Sequence, residues 1–544
     1  MRNGISKDLI ARVLGAAPKW TIAELEEKFP ARNLPDGAMV TRFGPSPTGF
    51  LHIGNVNTIM INERLAHQSG GIFFLRVEDT DTKREIKGAI DILLSVEEQF
   101  GLKIDEHPIE GGGDVGSYGP YTQSKRKDIY HSVVAELLAD GRAYPCFLSQ
   151  EEMNGIREKQ AANGFRTGIY GEWARDRDLT EDEITQRLDN GEVPTVRLYS
   201  TADSSKKIYC KDLIRGSLEF PQNDDDIVII KSNDGLPTYH FAHLVDDHFM
   251  RTTHVMRSAA EWLPSLPLHV QMFNMMGWVV PKYAHLSPID TIDATTGNRR
   301  KLSKRHDREA AVANLWEDGW APEPILEYLF NIIASGYEEA KMKNPNLTIW
   351  EYPVNIKKLP ASGALFDMKK MEWWAKEFIA TLSVDELARR VIEWAREYSP
   401  EWSARISGKE DYLKSMLAIE RDLSVQGTAA AGNPKRVRKD FVTWKQTLEE
   451  TSYFWDDLFE KEIIEEQIDK NVLSEFIASL DIKDGKDLWW NKIIEIAARN
   501  GIKNGDAAMA LRVALTGRTN TPDLYSIMQV MGDARVRARI NAAI

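Results

Sequence analysis

A short apolar lead, two closely spaced prolines and a helical repeat follow one another between Ala38 and His67, and that order admits few folds. Ala38, Met39 and Val40 start a strand, and Pro45 and Pro47 forbid a helix in the loop that follows. From Asn55 to His67 the residues Ile59, Met60 and Leu65 recur at helical spacing, so the loop delivers His52 and Gly54 to a helix N-terminus. Such a terminus offers unpaired backbone N–H groups and the positive end of the helix dipole, and a phosphate fits there. Gly70 and Gly71 end the helix, and Ile72 to Val77 is a mostly apolar second strand, so the whole forms a parallel strand–helix–strand unit. Glu78, Asp79, Thr80 and Asp81 lie at its carboxyl end, where open parallel sheets bind ligands. Asp81 serves equally well as the cap of a helix from Ile86 to Phe100, whereas Glu78, straight off the strand, suits a cationic amine.

At 544 residues the chain has room for three or four domains. It has 42% apolar and 28% charged residues and no run long enough to cross a bilayer, so no membrane association is expected. Cys146 and Cys210 lack any CxxC partner, which argues against a disulfide framework or a cysteine zinc site and for a reducing cytoplasm. Lys7, Asp8 and Arg12 interrupt any export signal, and the net charge of -13 excludes a generally basic coat but not a local basic surface. Up to Asp36 the pattern gives two helices, with Ile10, Val13 and Leu14 on one face and Ile22, Leu25 and Phe29 on the other. This is a packed extension without visible chemistry.

A helical stretch from Ser124 through Leu138 up to Gly141 and a strand from Ala143 to Leu148 precede a charged, irregular stretch over 150–215, in which Thr195 to Tyr199 alternates as a strand. That stretch is expected to be an inserted domain. Asp224, Asp225 and Asp226 lead into the buried strand Ile227 to Ile230, either as a turn or as metal ligands; the turn is preferred. His240, His243 and Asp247 share a helical face, but their spacing matches no common zinc pattern, so Tyr239 and His243 are better taken as pocket donors. Arg257 ends a strand and precedes a helix, suited to bidentate binding of a carboxylate or, more blandly, to a surface ion pair. The run Asn298 to His306 gathers Arg299, Arg300, Lys301, Lys304 and Arg305 around Ser303. It is a solvated surface taken alone and a polyphosphate loop if paired with the opening stretch.

Two short stretches, His52–Ile53–Gly54–Asn55 and Lys301–Leu302–Ser303–Lys304–Arg305, together resemble the signature pair of class I aminoacyl-tRNA synthetases. The longer segments Arg42 to Gly54, Val77 to Asp81, Leu236 to His248, Ser362 to Asp367 and Leu511 to Gly517 resemble glutamyl-tRNA synthetases of bacterial type. The resemblance covers residues 39–544. It implies an α/β fold: a Rossmann-type parallel nucleotide-binding domain with an inserted acceptor-binding α+β domain, followed by an all-α anticodon-binding C-terminal half. The implied domains are a helical extension (1–38), the catalytic domain in two halves (39–122 and 239–288), the acceptor-binding insertion (123–238), a stem-contact domain with the Lys301–Arg305 loop (289–376) and the anticodon-binding domain (377–544).

The implied reaction joins ATP and L-glutamate as glutamyl-adenylate and passes the glutamyl group to the terminal ribose hydroxyl of tRNA(Glu), with tRNA(Gln) as a second candidate. Such chemistry rests on positioning and on stabilising phosphate charge. The catalytic roles fall on His52, Gly54, Lys301, Ser303, Lys304 and Arg305, with ATP held by His52, Gly54 and Lys304. The glutamate site falls on Arg42 and Tyr239 for the side-chain carboxylate and on Glu78 for the amine. His243 and Arg257 take further polar atoms, and Phe43, Gly44 and Ser46 line the same site. Mg2+ accompanies ATP, and the enzyme is expected to be a cytoplasmic monomer.

Three departures bear on this. One extra residue separates Arg257 from Glu261–Trp262, and His243 stands where some members carry asparagine. Within the insertion Cys146 stands alone at the place where some members carry several zinc ligands, so no protein-bound zinc is expected. Beyond Leu326 helical patterns dominate, with amphipathic runs at Val384 to Ala395, Lys461 to Leu480 and Leu488 to Ala498, and a basic cluster of Lys435, Arg436, Arg438 and Lys439 suits RNA phosphates or plain solvent. The long helical region disfavours a truncated paralogue that modifies a tRNA base, and together with the insertion it disfavours a small-molecule adenylyltransferase. The retained His52, Lys301 and Lys304 disfavour a non-catalytic RNA-binding derivative.

Overall fold

A computed structural model describes residues 4–46, 51–81, 89–293, 295–302, 306–421, 437–459 and 469–544. Two compact units emerge: Met1–Val312 with Leu329–Phe366, and Ala313–Tyr328 with Asp367–Ile544.

The first unit begins with the extension, helices α1 (Lys7–Leu14) and α2 (Ile22–Lys28). Thr21 caps α2 in a reciprocal box with Glu24, an arrangement worth about 1 kcal/mol. Of the expected apolar faces, Ile10, Val13 and Leu14 on α1 and Leu25 and Phe29 on and after α2 are buried, Ile22 is half-buried, and Leu9 joins them. The strand–helix–strand unit follows as β1 (Val40–Phe43), α3 (Ile53–Gln68) and β2 (Ile72–Leu75), with β1 parallel to β2 in the register Val40↔Ile72 to Phe43↔Leu75. Helix α4 is described over Ala89–Phe100, so the expected start at Ile86 lies outside the described residues. A small hairpin, β3 (His107–Pro108) and β4 (Asp114–Val115), leads to α5 (Lys127–Ala139).

The stretch expected to be irregular is more regular than its charge suggested. Strand β5 (Ala143–Cys146) is followed by α6 (Gln150–Ala162) and α7 (Glu181–Asp189), each opened by a capping box, Ser149 with Glu152 and Thr180 with Glu183. Those S-x-x-E and T-x-x-E signals were present in the sequence and outweigh the scattered glycines. Then come β6 (Thr195–Leu198), β7 (Lys207–Asp212), β8 (Gly216–Pro221) and β9 (Val228–Ile230). Strands β5, β6 and β9 form one antiparallel sheet. The acids before β9 are held by arginines rather than gathered around a metal: Asp226 binds Arg177 and Tyr144, while Asp224 and Asp225 share Arg166.

The chain returns through α8 (Tyr239–Phe249), β10 (His254–Ser258), α9 (Ala259–Trp262), α10 (Leu266–Met276) and β11 (Lys282–Leu286). Thr253 N donates to Val40 O at 3.0 Å, which sets β10 beside β1. Strand β11 is parallel to β10 and also pairs with β7 at Tyr283↔Asp212, so the β7–β8 hairpin, inside the expected insertion, extends the β10–β11 sheet. After β11 come β12 (Ile289–Ile292), β13 (Arg299–Lys301) and β14 (Ala364–Leu365), a three-stranded sheet with β12 central.

One core joins the extension to this scaffold: Leu9, Val40, Phe74, Tyr130 and Phe241 belong to one buried cluster. Arg32 reaches Glu106 with two hydrogen bonds at 2.7 and 2.8 Å, and Glu26 binds both His248 and Arg251 at 2.6 Å. Arg251 adopts φ +60°, costly for a side chain other than glycine, in the turn from α8 to β10.

The second unit is built from helices around one core that includes Val391, Leu448, Phe476, Ile493, Leu511 and Val536. The expected amphipathic runs appear as helices Val384–Tyr398, Lys470–Ser479 and Lys486–Arg499; residues 461–468 lie outside the described set. The helix Asn504–Thr516 ends at Gly517 with φ +68°, a left-handed stop that glycine makes cheaply. Of the basic cluster, Arg438 pairs with Asp440 and Lys439 with Glu377, while Lys435 and Arg436 lie outside the described residues. Among the described residues no helix is long and apolar enough to cross a membrane.

Candidate active site

The proline-stiffened loop ends in a cap. His52 is the N-cap of α3: its Nδ1 accepts from Gly54 N at 2.8 Å, and its own N–H donates to Asn55 Oδ1 at 3.2 Å. An accepting Nδ1 carries no hydrogen, so the neutral ring bears its hydrogen on Nε2. A side chain at Gly54 would press on His52 Nδ1 at 3.1 Å, which accounts for glycine there. His52 also forms an antiparallel bridge with Ala311, and Val312 N donates to Leu51 O at 3.2 Å. The chain beyond the basic run is thus stitched to the first signature. Between them lies a cleft of about 330 Å³ lined by His52, Gly54, Thr58, Ser258, Glu261 and Lys301, among others. Two further lining atoms, Asn57 Oδ1 and Ser258 Oγ, are buried without a hydrogen-bond partner among the described residues. A ligand with polar groups would satisfy them.

The basic run is less bare than its sequence suggests. Arg299 binds Asp290 at 2.6 Å, Arg300 binds Asp293 and Asp307 at 3.0 and 2.7 Å, and Lys301 Nζ binds Glu261 Oε1 at 2.5 Å across the cleft. Ser303, Lys304 and Arg305 lie outside the described residues.

Beside the cleft two groups of buried arginines differ in their partners. In the first, Arg42 on β1 is 4% exposed and lies 3.4 Å from Asp247 through both Nε and Nη2. Arg76, fully buried, binds Asp247 at 2.7 Å and Glu78 at 2.9 Å, and Arg126 binds Asp246 at 2.6 Å. Three cations meet three carboxylates. Burial works against the Asp247 carboxylate, yet Arg42 and Arg76 outweigh it and hold Asp247 well below the usual carboxylate range. Burial raises Glu78 despite its arginine neighbours.

In the second group Arg257, also 4% exposed, touches no carboxylate among the described residues. Its Nη2 is 3.0 Å from His269 Nδ1, its Nε 3.3 Å from His285 Nε2, and its Nη1 3.4 Å from the Tyr239 hydroxyl. Tyr239 stacks on Trp262 with ring centres 4.0 Å apart, and burial pushes its hydroxyl up to about 12. The register Arg257↔His285 and Ser258↔Leu286 explains the layout: successive residues of a strand face opposite ways, so Ser258 and Leu286 line the cleft while Arg257 and His285 meet on the other side.

The structure also shows where the other assigned residues lie. Gly44 lies against Glu78, and a side chain there would collide with its carboxylate. Phe43 is core and Ser46 is exposed. Arg42 and Glu78, assigned to the substrate's carboxylate and amine, are engaged by Asp247 and Arg76. His240, His243 and Asp247 do not converge on a metal. His243 binds Asp247 at 2.7 Å and Tyr283 at 2.9 Å, His240 turns to His269 at 3.0 Å, and no metal-holding group of three exists among the described residues. His269, His285 and Asp212 were not singled out. No motif marks them, because strand pairing between distant segments brings them together.

Residues 38–373 match the catalytic domain of class I tRNA synthetases (E and Q), and residues 386–544 match an anticodon binding domain. Over 94% of its length the chain is 43% identical to a glutamate–tRNA ligase of Clostridium perfringens strain 13, of which it covers 96%. It is 40% identical to one from Acetivibrio thermocellus over 94% of this chain and 95% of that protein. Among solved structures it resembles a glutamate tRNA ligase from Elizabethkingia meningosepticum in complex with its amino acid, with TM-score 0.75 and 28% identity over 93% of this chain and 99% of that one. The fold, the capped His52 stitched to the chain beyond the basic run, and these likenesses over nearly the full length lead to one conclusion: the chain belongs to the glutamate–tRNA ligases, class I aminoacyl-tRNA synthetases of bacterial type.

Proposed function

We propose that this chain ligates L-glutamate to tRNA(Glu) at the expense of ATP. The glutamate α-carboxylate oxygen attacks the α-phosphorus of ATP and the bond to pyrophosphate breaks. The terminal ribose hydroxyl of tRNA then attacks the acyl carbon of glutamyl-adenylate, loses its proton, and AMP leaves. The observation that carries this reading is the cleft at the N-terminus of α3, whose first signature is stitched to the chain just beyond the second. Phosphates there meet the backbone N–H groups of α3, the His52 ring and Lys301. Lys301 is half exposed in its pair with Glu261, and an exposed pair is weak enough for a polyphosphate to displace. Lys304, with Ser303 and Arg305 of the same run, would supply a second cation, and Mg2+ would accompany the ATP as a counter-charge to its phosphates.

Glutamate lies along β1 and β10. Arg257 takes the side-chain carboxylate with Tyr239 beside it, Glu78 takes the amine, and His243 braces the wall between them. Arg42 acts from behind through Asp247. The remaining assignments are the domain boundaries given above, tRNA(Gln) as a second acceptor, a monomeric state, a cytoplasmic location and no protein-bound zinc. Cys146 supports the last: it is buried against Arg197, and burial pushes its thiol up, away from the thiolate that zinc requires.

The test is charging of purified glutamate and glutamine tRNAs with labelled glutamate, with Lys304→Ala as control. Charging of the glutamate tRNA that collapses in the control is expected, and no charging of either tRNA by the unaltered chain would sink the proposal. Light scattering and metal analysis of the same preparation test the monomer and the absence of zinc.

A further inference from the structure

Arg257 is a buried cation whose hydrogen-bond partners are two imidazoles and a phenol. Because guanidinium only donates, each partner must accept, and that fixes the tautomer of both imidazoles. His285 Nε2 accepts from Arg257, so its hydrogen sits on Nδ1 and points to Asp212 Oδ2 at 2.8 Å. The same Asp212 oxygen accepts from His285 N at 3.0 Å, and the other takes Ile214 N and Arg215 N at 2.9 Å each. Asp212 thereby locks the ring without touching Arg257. His269 Nδ1 accepts from Arg257, so its Nε2 hydrogen is donated to His240 Nδ1 at 3.0 Å. Every ring in the set is neutral, and burial favours that state: it lowers His285, lowers His240 to about 4 and pushes His269 well below the usual value.

We infer that His269 and His285 are positioning residues that aim Arg257 while leaving its charge unneutralised for the side-chain carboxylate of the amino-acid substrate, and that this cradle sets the preference for a carboxylate over a carboxamide. A carboxylate in either position would have held the guanidinium as firmly and cancelled its charge, as Asp247 does for Arg42 and Arg76. A buried arginine without a counter-ion gains most from an incoming anion and least from a neutral amide of the same shape. The inference rests on the glutamate reading of the site and adds the residues that make Arg257 selective.

The test is a pair of nearly isosteric variants in the full chain, His269→Asn and His269→Asp. Asparagine can place an accepting oxygen near the position of Nδ1, and aspartate does the same with a charge. Glutamate KM, ATP KM and thermal melting are measured for each in the tRNA-charging assay, with glutamine as competing amino acid. His269→Asn should stay within about fivefold of the unaltered glutamate KM, whereas His269→Asp should raise it about 30-fold or more and narrow the margin over glutamine, with ATP KM unmoved. Equal glutamate KM for the two variants would overturn the inference. Should His269→Asp not fold, His269→Phe keeps a ring and drops the acceptor. It should raise glutamate KM about tenfold with ATP KM unmoved, and a value within twofold of the unaltered chain overturns the inference. If the unaltered chain charges no glutamate at all, the ligase reading falls first and takes the cradle's substrate with it. If it charges normally and the variants do not differ, only the cradle falls.

Discussion

Arg42 and Arg257 are equally buried at the carboxyl ends of neighbouring strands, and their surroundings are opposite. Around Arg42, three arginines share three carboxylates, so the group is closed electrically and fixes the junction of β1, β2 and α8. Around Arg257 neutral rings supply geometry without charge. Burial of a charged side chain therefore says little about function until its counter-charges are counted. A balanced set holds itself in place, and an unbalanced one keeps a charge for a ligand.

The contrast is broken most forcefully by Asp247→Ala, which leaves Arg42 and Arg76 buried with one carboxylate fewer. A loss of about 3–5 kcal/mol is expected, read as a large drop in the melting temperature of the first unit. Next, Arg257→Met should lower kcat/KM for glutamate on the order of 10²-fold while costing less stability than Asp247→Ala. A melting loss as large as that of Asp247→Ala would show that Arg257 is structural too.

Proton linkage gives a third, smaller effect. In the folded chain His240 and His243 are pushed below their ordinary 6.5, chiefly by burial, to about 4 and about 3. Below pH 6.5 the unfolded chain therefore binds protons that the folded one refuses, and stability should fall as pH drops from 6.5 towards 4. His67 behaves oppositely. Its hydrogen bonds to Asp105 and Glu63 raise it to about 9, so its contribution is full below 6.5 and disappears as pH rises to 9. His67→Gln should flatten the alkaline arm of a melting-temperature profile and leave the acid arm in place. The smallest effect is expected for Arg12→Ala, which removes a half-exposed pair with Asp189 worth at most about 1 kcal/mol by chemical denaturation.

Much of this was legible in the sequence because it is local. The prolines, the apolar lead and the helical repeat after Gly54 placed β1, the loop and α3, with the strand ending at Phe43 and the helix beginning at Ile53. The helices of the second unit followed from their apolar spacing. The capping boxes of α6 and α7 were equally local and were obscured by charge and glycine content. What remained hidden was the pairing state of each cation. Arg42, Arg257 and Lys301 look alike in a sequence, and their carboxylates, where they have any, lie 205 residues away for Arg42 and 40 for Lys301.

The sequence alone determined the order of elements, the position of His52 at a helix cap and the family signature, since each depends on neighbours within a few residues. Only the tertiary structure decided that Gly44 makes room for Glu78, that Asp212 crosses from the insertion to lock His285, and that Arg257 keeps its charge. The reason is physical: electrostatic balance in a buried site depends on which distant side chains the sheet register brings within about 4 Å, a quantity that local pattern does not encode.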